Sequence, residues 1–297
     1  MGRVYRAFDR RRGHDVALKL VLPRHLDRPE RELRFLQERS LGRRSAGHPN
    51  LVSYLDHGRL RDRAWPFVTM VLVPGESLVR RLVQGPLPPA EALSLARQIA
   101  TAVRALHREK IAHRDVTPMN VLVHDGTAVL IDLSHASELH TPGRRKHRLT
   151  LKHERPGTRL FMSPEQARAE PAQTAMDVYG FGVLFHYMLA GGFPQRRTRR
   201  ARLRDPKRQQ PPPPPIDPRT APGVPWAAAR LVRDCVALAP ERRPTIDEVI
   251  RRLDEQLEEH VATNPRPRTS AIPTASQRRW CPLTAMALLV VLAIVMR

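Results

Sequence analysis

A chain of 297 residues is long enough for one domain with a sizeable core and a tail, and it shows no internal repeat. Its two cysteines, Cys235 and Cys281, exclude a disulfide framework and point to a reducing compartment, and no amino-terminal signal peptide is legible. Lys and Arg number 51 against 29 Asp and Glu, a net charge of +22; the basic residues are dispersed and aromatics make up only 5%, which favours a phosphate-facing or membrane-facing role over nucleic-acid binding.

Taken in order, residues 1–20 read as two strands around a charged turn at Gly13, with Val4, Tyr5, Ala7 and Phe8 in the first and Val16, Ala17, Leu18 and Lys19 in the second. Pro29 and Glu30 suit a first helical turn, and the spacing predicts a helix over 29–41 with Leu33, Leu36 and Leu41 on its apolar face. HPNLV at 48–52 leads into a strand, and Phe67 to Val73 reads as a buried strand stopped by Pro74-Gly75. After Pro88-Pro89, residues 91–110 place Leu93, Ile99, Val103 and Leu106 at helical spacing, while 175–190 are apolar nearly all round, the pattern of a core helix. Residues 196–225 are basic and then proline-rich, an insert or extended linker. Helices over 227–238 and 245–257 close the globular part, the second with Ile246, Val249, Ile250, Leu253 and Leu257 in register.

The chemistry concentrates at Ile111 to Val123, IAHRDVTPMNVLV, where a charged tripeptide and a lone Asn lie between two apolar runs. By itself this could be a surface turn. His113, Arg114, Asp115 and Asn120, however, match the catalytic-loop pattern H-R-D-x-x-x-x-N, and the chain resembles a bacterial-type serine/threonine protein kinase. The resemblance covers about residues 1–260 and implies an α+β, two-lobed fold: a small β-rich lobe over 1–73 and a larger, mainly helical lobe over 74–260.

It also implies roles. Asp115 is the catalytic base, and Asn120 a ligand of Mg²⁺ through its neutral amide oxygen, a hard ligand that suits this cation. Val16-Ala17-Leu18-Lys19 matches V-A-[IL]-K, making Lys19 the residue that grips the ATP phosphates; its glutamate partner is Glu38, nineteen residues on, with Glu32 as the alternative. Gly2 and Val4 match the end of the glycine-rich loop, and with Ala17, Met70, Val71 and Val73 they complete the ATP-binding set, Met70 as gatekeeper and 71–73 as hinge. Asp132, where the family carries D-F-G, is the second metal ligand. His113, Arg114 and Asp177 are structural supports of the loop, and Arg243 pairs with Glu165 of the S-P-E variant of A-P-E. In the activation segment, Thr150 is the autophosphorylation candidate and Thr158 belongs to a G-T motif; a basic loop without any switch is the alternative.

Three departures bear on activity. Met1 falls inside the family's glycine-rich loop, so the first strand and two leading glycines are missing: either the chain start is drawn too late or the phosphate cover is incomplete. Thr117 stands where the family usually has a Lys reaching the transferred phosphate, and Ser134 replaces the Gly of D-F-G. The expected activity is Mg·ATP-dependent transfer to Ser or Thr hydroxyls of a protein substrate; the alternative is a membrane-tethered pseudokinase acting as a binding module. Residues 261–279 read as a Pro-rich linker, and Trp280 to Met296 gives seventeen mostly apolar, uncharged residues, about 25 Å of helix, preceded by Arg278 and Arg279. The expectation is an anchor at the inner membrane face with the catalytic part in the cytoplasm, the alternative a helix packed on the domain or on a partner.

Overall fold

Alternating side chains and a buried Asp9 fold the first residues into a hairpin of β1 (Gly2–Asp9) and β2 (His14–Val21). Asp9 accepts from the N–H groups of Arg11 and Arg12 and from the Arg12 guanidinium, so one carboxylate gathers three donors from two neighbouring residues and closes the turn. The computed structural model describes residues 2–21, 29–45, 47–60, 65–139, 158–192, 211–221 and 223–263, with backbone alone at 29–34, 158 and 263.

The hairpin joins β3 (Tyr54–Arg59) and β4 (Pro66–Val71) in an antiparallel sheet of order β1-β2-β4-β3. Period-two alternation gives the sheet two different faces. Leu18, Leu20 and Phe67 form a small cluster on one; Ala17, Val21, Val68 and Met70 on the other join the main core. Helix α1 (Pro29–Arg44) contributes Phe35 and Leu41 to that core, whereas Leu36 is exposed, which corrects the expected apolar face. Leu36 and Leu41 are five residues apart, about 140° around a helix, and cannot share one stripe; Phe35, Glu38, Leu41 and Gly42 can.

The second part of the molecule is built on α3 (Pro89–Arg108), whose Leu93, Ile99, Val103 and Leu106 are all buried. It packs against α5 (Thr174–Ala190), α7 (Ile246–Thr263) and β8 (Thr127–Leu130), and α6 (Trp226–Cys235) lies against α5. Short pieces fill the seam: β5 (Glu76–Ser77) and α2 (Leu78–Leu82), β6 (Ile111–Ala112), β7 (Val121–His124), β9 (Ser137–Glu138) and α4 (Pro164–Ala167). β5, β7 and β8 pair as one small sheet and β6 with β9 as another. The 48–52 segment docks the two parts together: Val52 N–H donates to Leu130 O (3.0 Å), Leu130 N–H to Asn50 O (2.8 Å), and the Asn50 amide donates to Gln98 and to Ala128 O. Helix α7 runs to Thr263 and takes the first residues of the expected linker. Among the described residues no helix is long and apolar enough to cross a membrane; Thr150 and residues 280–296 lie outside them.

Arg243 ties α4, α5 and the turn before α7 into one unit. Its guanidinium meets Glu165 in a fork, 2.6 and 2.9 Å, and donates to the carbonyls of Ala237, Ala175 and Leu238, so all five N–H groups are used. Both side chains are fully buried, and the guanidinium stacks 5.0 Å from the Tyr179 ring. Burial works to raise the Glu165 carboxyl, and the Arg243 hydrogen bonds overcome it and hold it low. A buried pair is costly to break from one side only, because the survivor keeps an unpaired charge. Arg243→Ala is expected to destabilise the protein by about 3–5 kcal/mol, a fall in melting temperature on the order of 10 °C; a melt within two or three degrees of wild type, roughly what 1 kcal/mol produces, would contradict this account.

Candidate active site

The sheet's core-facing side carries an ammonium into the seam between the two parts. Lys19 Nζ bonds both oxygens of Glu38 on α1 (2.6 and 2.8 Å) and Asp132 Oδ1 after β8 (2.8 Å), which selects Glu38 as its partner. Burial acts to lower the Lys19 pKa, but the Asp132 and Glu38 carboxylates outweigh it and raise it, so Lys19 stays a cation. Burial lifts Glu38 against the pull of Lys19, whereas Lys19 and the Ser134 hydrogen bonds keep Asp132 low against its own desolvation. The arrangement is one cation between two carboxylates, in which the contact favours the charged forms of Lys19 and Asp132 while burial works against that of Glu38.

Tyr54, at the start of β3, locks this cluster and was not singled out by its sequence pattern. Its hydroxyl donates to Glu38 Oε1 (2.9 Å) and accepts from Leu133 N–H (3.2 Å), linking α1 to the segment that carries Asp132. The ring has room because residue 42 is glycine: a Cβ there would lie 2.1 Å from Tyr54 Cδ2.

The loop after β6 is held from below by Asp177, buried on α5. Its carboxylate accepts from His113 N–H (2.8 Å), Arg114 N–H (2.6 Å) and His107 Nε2 (2.8 Å). Burial would raise this carboxyl, but the His107 hydrogen bond and the loop's charges and N–H groups hold it low. Arg114 sits at φ 62, a left-handed conformation costly for a non-glycine residue, and a further bond from the Gln166 amide to Arg114 O (2.8 Å) helps pin it. The His113 ring is fully buried, which lowers its pKa and keeps it neutral, and it accepts the Asp115 N–H (3.2 Å). Asn120 Nδ2 donates to Asp115 O (2.9 Å) and Oδ2 (2.8 Å), leaving its oxygen as the group not spent inside the loop. Asp115 Oδ1 is buried and has no hydrogen-bond partner among the described residues.

Gly2, Val4, Ala17, Lys19 and Met70 share one face of the sheet: Val4 pairs with Lys19, Ala17 with Met70, and Gly2 with Val21, so their side chains point the same way. Val71 donates its N–H to Ser53 O (3.0 Å), and Leu72 and Val73 lie beyond the end of β4. The chain then turns at Gly75, φ +99, where a Cβ would lie 2.2 Å from Val123 O. Thr158 begins a 3-10 turn, Thr158–Phe161, and Glu165 is the partner of Arg243 already described.

The model of the protein kinase domain family matches residues 1–253. The chain belongs to the protein kinase domain family. It is 34% identical over 222 residues to serine/threonine-protein kinase PknD of Mycobacterium tuberculosis, covering 72% of this chain and 32% of that protein. With PkaA of Streptomyces coelicolor the identity is 32% over 249 residues, covering 81% and 43%, and with PrkC of Bacillus subtilis 32% over 196 residues, covering 65% and 29%. The chain thus spans less than half the length of these relatives.

Two departures from the kinase pattern look different in three dimensions. Ser134 needs no glycine: the left-handed residue is Asp132, φ 66, capping the short turn Leu133–His135 and accepting the Ser134 N–H (3.1 Å). Thr117 is fully buried with an unpartnered hydroxyl and brings no charge to the kinase site. The donor set fits Mg²⁺: Asp132 is an ionised carboxylate and Asn120 offers a neutral amide oxygen, hard ligands of the kind this ion takes alongside phosphate oxygens. Tyr54→Phe strips the buried Leu133 N–H and Glu38 of one partner each, and is expected to cost about 1–3 kcal/mol; a denaturation midpoint equal to wild type would show that the hydroxyl is not needed.

Proposed function

We propose that this chain transfers the γ-phosphate of ATP to Ser or Thr hydroxyls of proteins. The observation that carries the reading is the state of Asp115: one carboxylate oxygen is fixed by Asn120, and the other is buried and unpartnered, placed to accept a hydrogen bond from an incoming hydroxyl. Lys19, held as a cation and aimed by Glu38, would bind phosphate oxygens, while Asp132 and Asn120 would hold Mg²⁺, which supplies neutralisation of the phosphate charge when bound. Val4, Ala17 and Met70 would cover the base of the nucleotide, and Asp177 fixes the height of the loop beneath it.

Support also comes from the serine/threonine-protein kinases it resembles. The binding-module reading keeps Thr117 as its one structural argument, since Ser134 imposes no backbone strain. Transfer of labelled γ-phosphate to protein acceptors should require Mg²⁺ and fall at least about 10²-fold in Asp115→Asn, the loss of a positioned base. Wild-type protein that binds nucleotide without transferring, or an Asp115→Asn variant as fast as wild type, would reject the proposal.

We further propose that residues 280–296 anchor the chain to a membrane, on the strength of their uncharged composition, the preceding Arg278 and Arg279, and Trp280 at their edge. The protein should then float with vesicles, and Leu289→Arg, which places a charge mid-segment at a cost of about 2.5–3.5 kcal/mol, should release it. Flotation that is the same with and without this charge would remove the anchor.

A further inference from the structure

Asp115 has a second support that comes from outside its own loop. His135 ends the short turn Leu133–His135 after β8, and its Nδ1 lies 3.0 Å from Asp115 Oδ2. That is the same oxygen that accepts the Asn120 amide at 2.8 Å. With the imidazole protonated at Nδ1, two donors converge on Oδ2, and the carboxylate can no longer rotate about its Cβ–Cγ bond without losing both. The consequence falls on the other oxygen. Oδ1, buried and unpartnered, is the one left to receive a substrate hydroxyl.

Thr117, two residues from Asp115, does not provide this hold: it is fully buried and, among the described residues, its hydroxyl has no hydrogen-bond partner. The imidazole of His135 is largely buried beside the base, and its backbone is fixed by the turn that Asp132 caps and Tyr54 grips through Leu133. We infer that His135 is a positioning residue for the catalytic base, a donor that orients Asp115 in a chain whose loop has Thr at position 117. This assignment rests on the phosphotransfer reading and deepens it: the turn carrying the metal-binding Asp132 also sets the base, so the two halves of the site are aligned by one segment of four residues, Asp132 to His135.

The test uses the full chain with Mg·ATP and a protein acceptor. His135→Ala should lower kcat by about 10²-fold, the loss that follows a misplacement of about 1 Å, with KM for ATP within about twofold of wild type because Lys19 and the sheet face are untouched. His135→Asn, whose side-chain nitrogen can occupy the place of Nδ1, should recover most of the lost kcat. A role in packing alone would not be rescued this way. The imidazole gives an independent readout by nuclear magnetic resonance: its Nδ1 proton should resonate downfield in wild type and shift in Asp115→Asn. A His135→Ala variant with wild-type kcat, or one that Asn does not improve, overturns the inference. Wild-type protein that transfers nothing defeats the phosphotransfer reading itself, and the positioning contact is then decided by the resonance, upheld if it responds to Asp115→Asn and overturned if it does not.

Discussion

Taking an ammonium out of water costs several kcal/mol even after the protein relaxes around it, and the Lys19 side chain is buried where β2 meets α1 and the turn after β8. Only carboxylates from both of those elements meet that cost. Neither Glu38 nor Asp132 can move away without leaving charge unpaired in a low-dielectric seam, so the electrostatics of one lysine fixes the relative position of three chain segments that are 19 and 113 residues distant in sequence. Tyr54 completes the arrangement with an uncharged hydroxyl, satisfying a carboxylate on one side and a backbone N–H on the other.

The same device recurs deeper in the molecule. Asp177 uses a buried carboxylate to gather backbone N–H groups, and Arg243 uses a buried guanidinium to gather carbonyls. Each spends a charge mostly on main-chain groups of turns and loops, which is how irregular segments are held as firmly as regular elements. The two non-glycine residues of the site at positive φ, Arg114 and Asp132, lie where that holding is densest, the places in which backbone strain can persist.

Much of this was legible beforehand because charge and motif are local. Lys19, Glu38, Asp115, Asn120, Asp132, Asp177 and Arg243 stand at spacings that a single sequence displays, and the contacts Lys19–Glu38, Asp177 to the loop backbone and Arg243–Glu165 follow those spacings. Volume and orientation were harder to see. The stripe on α1 was misread because leucines were counted in place of angles, so Phe35 was overlooked and Leu36 given a place it does not have. Tyr54 and His135 are ordinary residues in a strand and a polar turn until the fold brings them within 3.0 Å of Glu38 and Asp115. That the Val71 N–H pairs with Ser53 O likewise cannot be read from one strand.

The contact between Gly42 and the Tyr54 ring also constrains how this sequence can drift. A side chain added at 42 collides with the ring, and a smaller residue at 54 opens a void beside Glu38, so each single change is harmful; a matched pair of mid-sized residues could fill the same space, at the cost of the hydroxyl's two hydrogen bonds where residue 54 is apolar. Neighbours of this kind do not contribute additively. The two positions are therefore bound into one heritable unit, and descendants of this chain are confined to keeping both residues or to crossing a fitness valley in which one has changed before the other.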